Sequence, residues 1–435
     1  MRNLYWLMVF AASLLAVLTT LAGCACDDDD DDNDDNDDND ASDDDNGDDD
    51  NDAGDDDDDD NDNDDNQIAC YRDYDSDGFG DAEVDQDFQA DTCPEGWVDD
   101  HTDCNDADFL TNPDAAELPT DDIDEDCDGA DLIPANDTGI FVAPSGDDLN
   151  PGTMEAPMKT IDAGVEVAQA SNLPVFVAVG DYTEYIETKV SIHGGYSDET
   201  WERGGKGPTR INAATDIGVY ITNYAHEKSV ALSWLTINGG NAALTAAVYV
   251  MFEANLTLVN CVLNGGTSSG TSFGIYVWRD SRLNLLGNTI VNNGEGSDYG
   301  VAVDGSTLTM INNIVYFDEN GDEAVDVVSS SVYLLNNDLW SSDALALVNS
   351  EMTAADVNAC EWLGCEEASG NISADPAFAD FANGDYHLTA GSPCIDTGVD
   401  PTPWYDGNLD DRDWDSELRP VGNGWDIGMD EYTSR

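Results

Sequence analysis

The chain has 435 residues, of which 95 are acidic and 13 basic, so its formal charge at pH 7 is −82. Because phosphate binding needs clustered Lys and Arg, this composition excludes nucleic acid as a partner and favours cations. The length allows one large domain and a smaller one. An acidic surface also keeps a protein soluble in a salty habitat, and composition alone leaves that alternative open.

The N-terminal segment has the pattern of an export signal. A mostly apolar run over residues 4–21 ends in the sequence Leu-Ala-Gly-Cys at residues 21–24. The run is nearly long enough for a transmembrane helix, but the small residues before Cys24 favour cleavage. The sequence resembles the lipobox of bacterial lipoproteins. The resemblance implies a signal peptide over residues 1–23, a lipid anchor on Cys24 and a place on the outer membrane, at the cell surface. Three roles stay open for Cys26: a second lipid site, a disulfide partner or a free thiol.

Residues 24–66 form an acidic tether. The stretch 27–66 contains 27 Asp and no basic residue. It cannot bury apolar surface, so we expect it to be disordered, and its like charges extend it. At about 3.5 Å per residue it reaches on the order of 140 Å at most. We favour a spacer over the alternative, a low-affinity calcium sponge.

Residues 67–133 form a small module rich in Asp and Cys. Its first loop places Asp at positions 1, 3 and 5, Gly at position 6 and further oxygen donors at positions 7 and 9, an order that can wrap a hard cation. Position 12, where an EF-hand has Glu, is Val84, so the loop is not an EF-hand. It resembles the calcium repeats of thrombospondin type 3. The expected ligands are Asp73, Asp75, Asp77, the carbonyl of Phe79, and Asp81.

The second half of the module resembles the MopE-type metal-binding repeat of bacterial surface proteins. The resemblance lies in the sequences that begin at Asp103, Asn112 and Asp122. The further expected ligands are Asp103, Asp106, Asp122, Asp124, Asp126 and Asp128.

Calcium is the expected ion of the module, because hard oxygen ligands suit it and only His101 offers a nitrogen ligand. The MopE-type resemblance raises copper as an alternative. The module is too small for a large core, so disulfides and ions must hold it together. We expect the disulfides Cys70–Cys93 and Cys104–Cys127. The alternative reading is a merely solvated acidic loop.

From residue 138 the composition is that of a folded β protein. Short apolar-polar-apolar patterns recur in step along the chain. One series begins at Val230, Leu256, Leu283, Leu308 and Val332. Its spacing gives repeats of 26, 27, 25 and 24 residues. Three short strands with alternating inward apolar residues in each repeat predict an all-β fold, a right-handed parallel β-helix of three sheets over residues 138–374.

Further segments frame the predicted β-helix. Residues 162–170 form the one good helix candidate, which would cap the N-terminal end of the solenoid. The run over residues 140–196 resembles the opening of a bacterial family in the pectin-lyase-like superfamily. Residues 375–435 resemble the closing segment of secreted bacterial β-helix proteins, and we expect a C-terminal cap there. Cys360 and Cys365 are close enough in sequence to bridge a loop.

One column of the repeat predicts a ladder inside the turns. It contains Leu235, Cys261, Asn288, Asn313 and Asn337. The three Asn would stack on one another and satisfy buried backbone groups. We expect Cys261 to be a small, buried, free thiol rather than a reactive cysteine.

The outward face of the first sheet carries a candidate ligand site. Tyr249, Tyr276 and Trp278 predict an exposed strip that stacks on sugar rings, with Asp304 as acceptor for sugar hydroxyls. Aromatic residues are also common on strand surfaces without any ligand. We therefore expect a surface protein that binds polysaccharide, with the module as a spacer. The alternatives are a polysaccharide lyase or glycoside hydrolase, and a purely structural surface protein. Scarce basic residues favour binding without catalysis.

Overall fold

The computed structural model describes residues 67–204, 207–222, 229–292, 297–317, 323–341, 346–347, 350–401, 412–414 and 417–433. The predicted signal peptide over residues 1–23, the lipidation site Cys24 and the tether over residues 24–66 lie outside these ranges. Within the ranges, neither α-helix combines the length and apolarity needed to cross a membrane.

Three sheets wind around one core because each repeat supplies one strand to each sheet. The first sheet contains β7 (Ile186–Thr188), β10 (Ile217–Thr222), β13 (Leu244–Met251), β16 (Thr271–Trp278), β19 (Ser297–Asp304), β22 (Glu323–Val328), β25 (Ala346–Leu347) and β26 (Ser350–Glu351). The second contains β4 (Ile140–Val142), β5 (Val175–Ala178), β8 (Ile192–Tyr196), β11 (Val230–Ser233), β14 (Asn255–Val259), β17 (Arg282–Leu286), β20 (Thr307–Ile311), β23 (Ser331–Leu335) and β27 (Cys365–Ser369). The third contains β6 (Gly180–Glu184), β9 (Thr209–Ala213), β12 (Leu235–Asn238), β15 (Val262–Asn264), β18 (Thr289–Asn292), β21 (Ile314–Phe317) and β24 (Asp338–Ser341).

The strands of successive turns pair in parallel with equivalent residues side by side. Leu256 pairs with Leu283, and Leu283 with Leu308, as the repeat spacing predicts. Alternate side chains on each strand point inward, where they form one continuous apolar core along the solenoid. The predicted all-β fold, a three-sheet β-helix preceded by a small Asp-rich module, is confirmed.

The predicted column of the repeat forms a hydrogen-bonded ladder between the second and third sheets. Nδ2 of Asn288 donates to Oδ1 of Asn313 at 3.0 Å, and Nδ2 of Asn313 donates to Oδ1 of Asn337 at 3.0 Å. A further member that was not predicted, Asn371, extends the ladder: its Oδ1 accepts from Nδ2 of Asn337 at 3.0 Å. Cys261 is buried and free, and its N–H donates to Oδ1 of Asn288 at 2.9 Å.

Helices close both ends of the core. The predicted N-terminal helix, α1 (Ile161–Ser171), begins after the N-cap Thr160 and buries Val165 against the first turns. A second helix, α2 (Ala354–Ala359), begins with a capping box and buries Val357 in the core at the other end. Each helix covers inward apolar side chains that a terminal turn would otherwise expose to water.

The described residues of the segment predicted as a C-terminal cap, 375–435, lie along the side of the solenoid instead of at its end. It contains β28 (Phe378–Asp380), a 3-10 helix (Phe381–Asn383) and β29 (Asp385–Leu388). Its Leu388 and Ile427 pack on Val291 and Tyr316, which point outward from the third sheet. The physical reason is that α2 and the disulfide Cys360–Cys365 already occupy the end of the core.

Candidate metal centre

A three-stranded antiparallel sheet and two disulfides frame the module. The strands are β1 (Gln67–Arg72), β2 (Asp81–Gln89) and β3 (Trp97–Val98), in the order β2-β1-β3. Cys70 bonds to Cys93 and Cys104 to Cys127, as predicted. The module has few apolar residues, so these crosslinks stabilise it chiefly by restricting its unfolded chain.

The loop that follows β1 folds around its own carboxylates. Oδ1 of Asp73 accepts the N–H of the residue three positions later at 2.7 Å, Oδ1 of Asp75 accepts from Asp77 at 3.2 Å, and Oδ1 of Asp77 accepts from Phe79 at 2.8 Å. Gly78 has a φ of 104°, a conformation that favours glycine and lets the loop reverse. One oxygen of each carboxylate therefore holds the loop in shape, and Oδ2 of Asp75 and of Asp77 stays available for an ion.

A second loop closes over the first. Oδ1 of Asp103 accepts from the N–H of Asn105 at 2.7 Å. Oδ1 of Asp106 accepts from the N–H of Tyr74, in the first loop, at 2.7 Å. A parallel bridge between Asp81 and Asp103 joins the same two segments. The fold thus builds one centre from two segments that the sequence analysis treated as separate.

Carboxylates from the two loops converge into two groups that share Asp75. Oxygens of Asp73, Asp75 and Asp106 lie within 4.8 Å of one another, and so do oxygens of Asp75, Asp77 and Asp103. Several of these oxygens are buried and accept no hydrogen bond within the described part of the chain: Oδ2 of Asp75, Asp77, Asp103 and Asp106. Buried carboxylate oxygens at this spacing are costly alone and are the ligands that a hard divalent cation takes.

Burial and mutual repulsion raise the carboxyl pKa values of this centre. Burial raises the pKa of Asp75 to about 8, and the charges of Asp77 and Asp103 add to the rise. Burial also raises the pKa of Asp77 to about 7 and that of Asp103 to about 6. A nearby positive charge would lower these pKa values, because it favours the ionised carboxylates. A bound cation would supply that charge.

A third group of carboxylates lies in the MopE-like half of the module. Oxygens of Glu117, Asp124 and Asp126 lie within 4.8 Å of one another. Oε1 of Glu117 accepts from the N–H of Asp126 at 2.9 Å, and burial raises the pKa of Glu117 to about 7. Glu117 is not among the ligands predicted from the sequence. The signal was present, because Glu117 ends the sequence from Asn112 that carried the resemblance.

Three of the predicted ligands, Asp81, Asp122 and Asp128, lie outside these groups. Asp81 and Asp128 each accept the backbone N–H of the residue two positions later, so they cap local turns. Asp122 has a left-handed φ of 67° and donates its N–H to Asp131. The N–H of Phe79 donates to Oδ1 of Asp77, and its carbonyl oxygen stays a predicted ligand. Alternating Asp suits both turn capping and ion binding, so spacing alone did not separate the two.

The donor atoms of the three groups are all carboxylate oxygens. His101 stacks its ring on Tyr71, with centroids 4.8 Å apart, and belongs to none of these groups in the described residues. An all-oxygen donor set suits hard cations.

The module packs on the outer face of the second sheet and is not a free-standing spacer. Leu110 and Leu118 of the module share a buried cluster with Val259, Leu286 and Ile311. These three residues lie at the ends of successive strands and point away from the solenoid core, so the module covers an apolar strip that water would otherwise contact.

The expected aromatic strip on the first sheet has the predicted register but not the predicted exposure. Tyr249 pairs with Tyr276, and their ring centroids lie 5.0 Å apart. The two residues are only 9% and 5% exposed. Tyr220 stacks on Tyr249 at 5.3 Å, and Phe273 lies 5.0 Å from Tyr276. The rings cover one another, so this strip does not offer open ring faces to a sugar.

The other two predicted ligand-binding residues lie beside this strip. Trp278 pairs with Asp304 on the next strand, and both are half-buried. The guanidinium of Arg279 lies 4.6 Å from the centroid of the Trp278 ring. Burial raises the pKa of Asp304, and the charge of Asp326 adds to the rise.

Residues 103–131 match the family model Cu-binding_MopE, described as a "Putative metal-binding motif". No curated protein and no solved structure matches the chain. The matched range contains Asp103 and Asp106, which belong to the two groups that share Asp75, and the whole of the third group. The motif therefore coincides with carboxylates that the fold brings together.

Proposed function

We propose that the protein is a lipid-anchored cell-surface protein. Its Asp-rich module binds calcium ions, which stabilise the module and the β-solenoid on which it packs. The observation that carries the proposal is the convergence of buried carboxylate oxygens from two loops, with Asp75 at the centre of both groups. Burial and the charges of Asp77 and Asp103 raise the pKa of Asp75, and an ion in this position would stabilise its ionised form.

The donor set supports calcium rather than copper. Calcium takes six to eight oxygen ligands, whereas copper prefers sites that include imidazole or sulfur. The groups offer oxygens only. His101 is engaged with Tyr71, and the four cysteines of the module are in disulfides.

The proposed anchor rests on the sequence. The lipobox-like residues 21–24 lie outside the described ranges, and they support acylation of Cys24. Replacing Cys24 with Ala should move the protein from the membrane fraction to the soluble fraction. A variant that stays uncleaved and membrane-bound would contradict the anchor without touching the calcium site.

The calcium site is tested by calorimetric titration of the full, oxidised chain with calcium. Asp75→Asn removes a charge shared by two groups, and we expect it to weaken binding by about tenfold or more. Asp128→Asn is the matched control, because Asp128 is an acid of the same module that lies outside the groups. The proposal fails if the wild-type chain binds no calcium at millimolar concentration, or if it takes up copper in the presence of excess calcium.

A further inference from the structure

We propose that a groove between the module and the second sheet binds a neutral, hydroxyl-rich ligand of oligosaccharide size. Two adjoining cavities of about 540 and 420 Å³ form the groove. Phe109 of the module and Arg282, Thr307 and Ser331 of the sheet line both cavities. The volumes fall within the range of small-molecule sites. The inference goes beyond the proposed function, and the groove adjoins the metal centre, because Asp77 and Asp75 line its two cavities.

The floor of the groove is a grid of polar side chains. In the first column Asn255, Arg282, Thr307 and Ser331 pair in register on successive strands. In the second column Thr257, Asn284, Thr309 and Tyr333 do the same. Neighbouring strands lie about 4.8 Å apart, so the grid repeats donors and acceptors along the solenoid axis. An oligosaccharide also repeats hydroxyl groups along its length, so it could form hydrogen bonds with successive rows of this grid.

Asn284 points to a ligand because its side-chain carbonyl oxygen has no partner among the described residues. The residue is 3% exposed, and within those residues its Oδ1 is buried without a hydrogen bond. Its Nδ2 makes one long contact of 3.4 Å with Oγ1 of Thr257. An unsatisfied buried amide is costly, and a hydroxyl of a ligand supplies the missing donor. Further along the same strands, the contacts of Val259 and Leu286 with the module are apolar and need no ligand.

The charges along the groove favour a neutral ligand over an anionic one. The acids that line the larger cavity are Asp77, Asp114, Glu125 and Asp280. Among the described residues, Arg282 is the one base in either lining. Its guanidinium is held across the groove, with Nη2 3.5 Å from the carbonyl oxygen of Ser76 and the ring centroid of Phe109 at 5.9 Å. Asp77 belongs to the metal centre, where a bound ion neutralises it, so the repulsion of a carboxylate or sulfate comes from Asp114 and Asp280.

The groove has an open rim and an aromatic wall. Asp280 and Ser329 line the larger cavity and are exposed to solvent. Tyr333 lines the smaller cavity and is 36% exposed. A partly exposed ring can pack against the apolar C–H face of a sugar. This site is distinct from the aromatic strip of the first sheet, whose rings cover one another.

The test is a printed array of neutral hexose and pentose oligosaccharides, with uronic-acid oligosaccharides beside them, probed with the labelled full chain in calcium. Asn284→Leu keeps the volume and removes the hydrogen-bonding amide. We expect it to weaken the binding of a neutral oligosaccharide by about tenfold or more. Tyr333→Ala, at the open rim, should weaken the same ligand while leaving the thermal melt nearly unchanged. Trp278→Ala, on the first sheet, is the matched control and should bind normally.

Three results would overturn the inference. They are the absence of binding to every neutral oligosaccharide by the folded chain, binding confined to uronic acids, and loss of binding in Trp278→Ala but not in Asn284→Leu. Calcium titration of the same variants separates this site from the metal centre. If the metal-centre proposal is wrong, the wild-type chain does not bind calcium. If only the groove proposal is wrong, the wild-type chain still binds calcium.

Discussion

The backbone N–H of Ser229 donates to the carbonyl oxygen of Asp114 at 2.8 Å. Ser229 directly precedes β11 of the second sheet. Asp114 belongs to the module and lies in sequence between Asp106 and Glu117. A main-chain bond of this kind, next to the buried contacts of Leu110 and Leu118, ties the module to the solenoid. We therefore expect the two parts to resist unfolding together, and ions bound by the module to stabilise both.

Truncation of Leu118 tests this coupling. The side chain is 4% exposed and lies between the module and the second sheet. Leu118→Ala should lower the free energy of unfolding by about 2–4 kcal/mol, because it opens a cavity at the contact. Leu149→Ala is the control, since Leu149 is 94% exposed and should change stability by less than about 0.5 kcal/mol. Urea unfolding followed by tryptophan fluorescence measures both. Equal effects in the two variants would mean that the module is not docked.

Calcium binding should release protons and strengthen as the pH rises. In the ion-free protein the pKa values of Asp75, Asp77 and Asp103 are raised to about 8, 7 and 6. Calcium binds the ionised carboxylates, so protons compete with it below these values. Affinity should therefore increase from about pH 6 to about pH 8. Calorimetry in buffers of different ionisation enthalpy counts the protons released. An affinity independent of pH over this window would count against the centre.

Asp338 should destabilise the solenoid as the pH rises. The residue is buried, and burial raises its pKa to about 6. Its oxygens accept from the N–H of Ala374 at 3.0 Å and from the thiol of Cys394 at 3.2 Å. Because the folded pKa lies above the ordinary value of 3.8, the native state holds more protons than the unfolded state between about pH 4 and pH 6. Stability therefore falls as the pH rises through that window.

Asp338→Asn keeps the acceptor for Ala374 and removes the buried charge. We expect a gain of about 1–3 kcal/mol at about pH 8 and little change at about pH 4. Urea unfolding at the two pH values gives the comparison. A loss of stability at the higher pH would show that the charged form of Asp338 is needed in the native state.

The asparagine ladder should be a major determinant of solenoid stability. The side chain of Asn313 accepts from the N–H of Asn288 and donates to the carbonyl oxygen of Leu285, both buried. Asn313→Ala leaves several buried groups unpaired and should cost about 3 kcal/mol or more. Asn238→Ala is the control, because Asn238 lies on the outer face and should cost about 1 kcal/mol or less. Similar costs would mean that water replaces the ladder.

The sequence predicted the solenoid well because its signal is local and repeated. Inward positions such as Leu256, Leu283 and Leu308 recur once per turn, and each turn packs chiefly on its neighbours. The ladder from Asn288 to Asn337 follows the same periodicity. Asn371 broke the spacing, because α2 and its loop are inserted before it, and it was missed.

The candidate site was only partly predictable because it depends on contacts between distant segments. The N–H of Tyr74 reaches Asp106 across 32 positions, and no spacing rule links the two loops. Exposure of Tyr249 and Tyr276 was misjudged for a similar reason. An alternating strand pattern tells which side chains point outward, but not whether neighbouring rings then cover them.

The footprint of the module limits how the solenoid can vary in length. Leu110 and Leu118 touch the consecutive strands that end in Val259, Leu286 and Ile311, so those turns must keep their number and order. A whole turn inserted or deleted there would displace part of these contacts by one strand spacing, about 4.8 Å. Chains related by gain or loss of repeats should therefore keep the number of turns beneath the module.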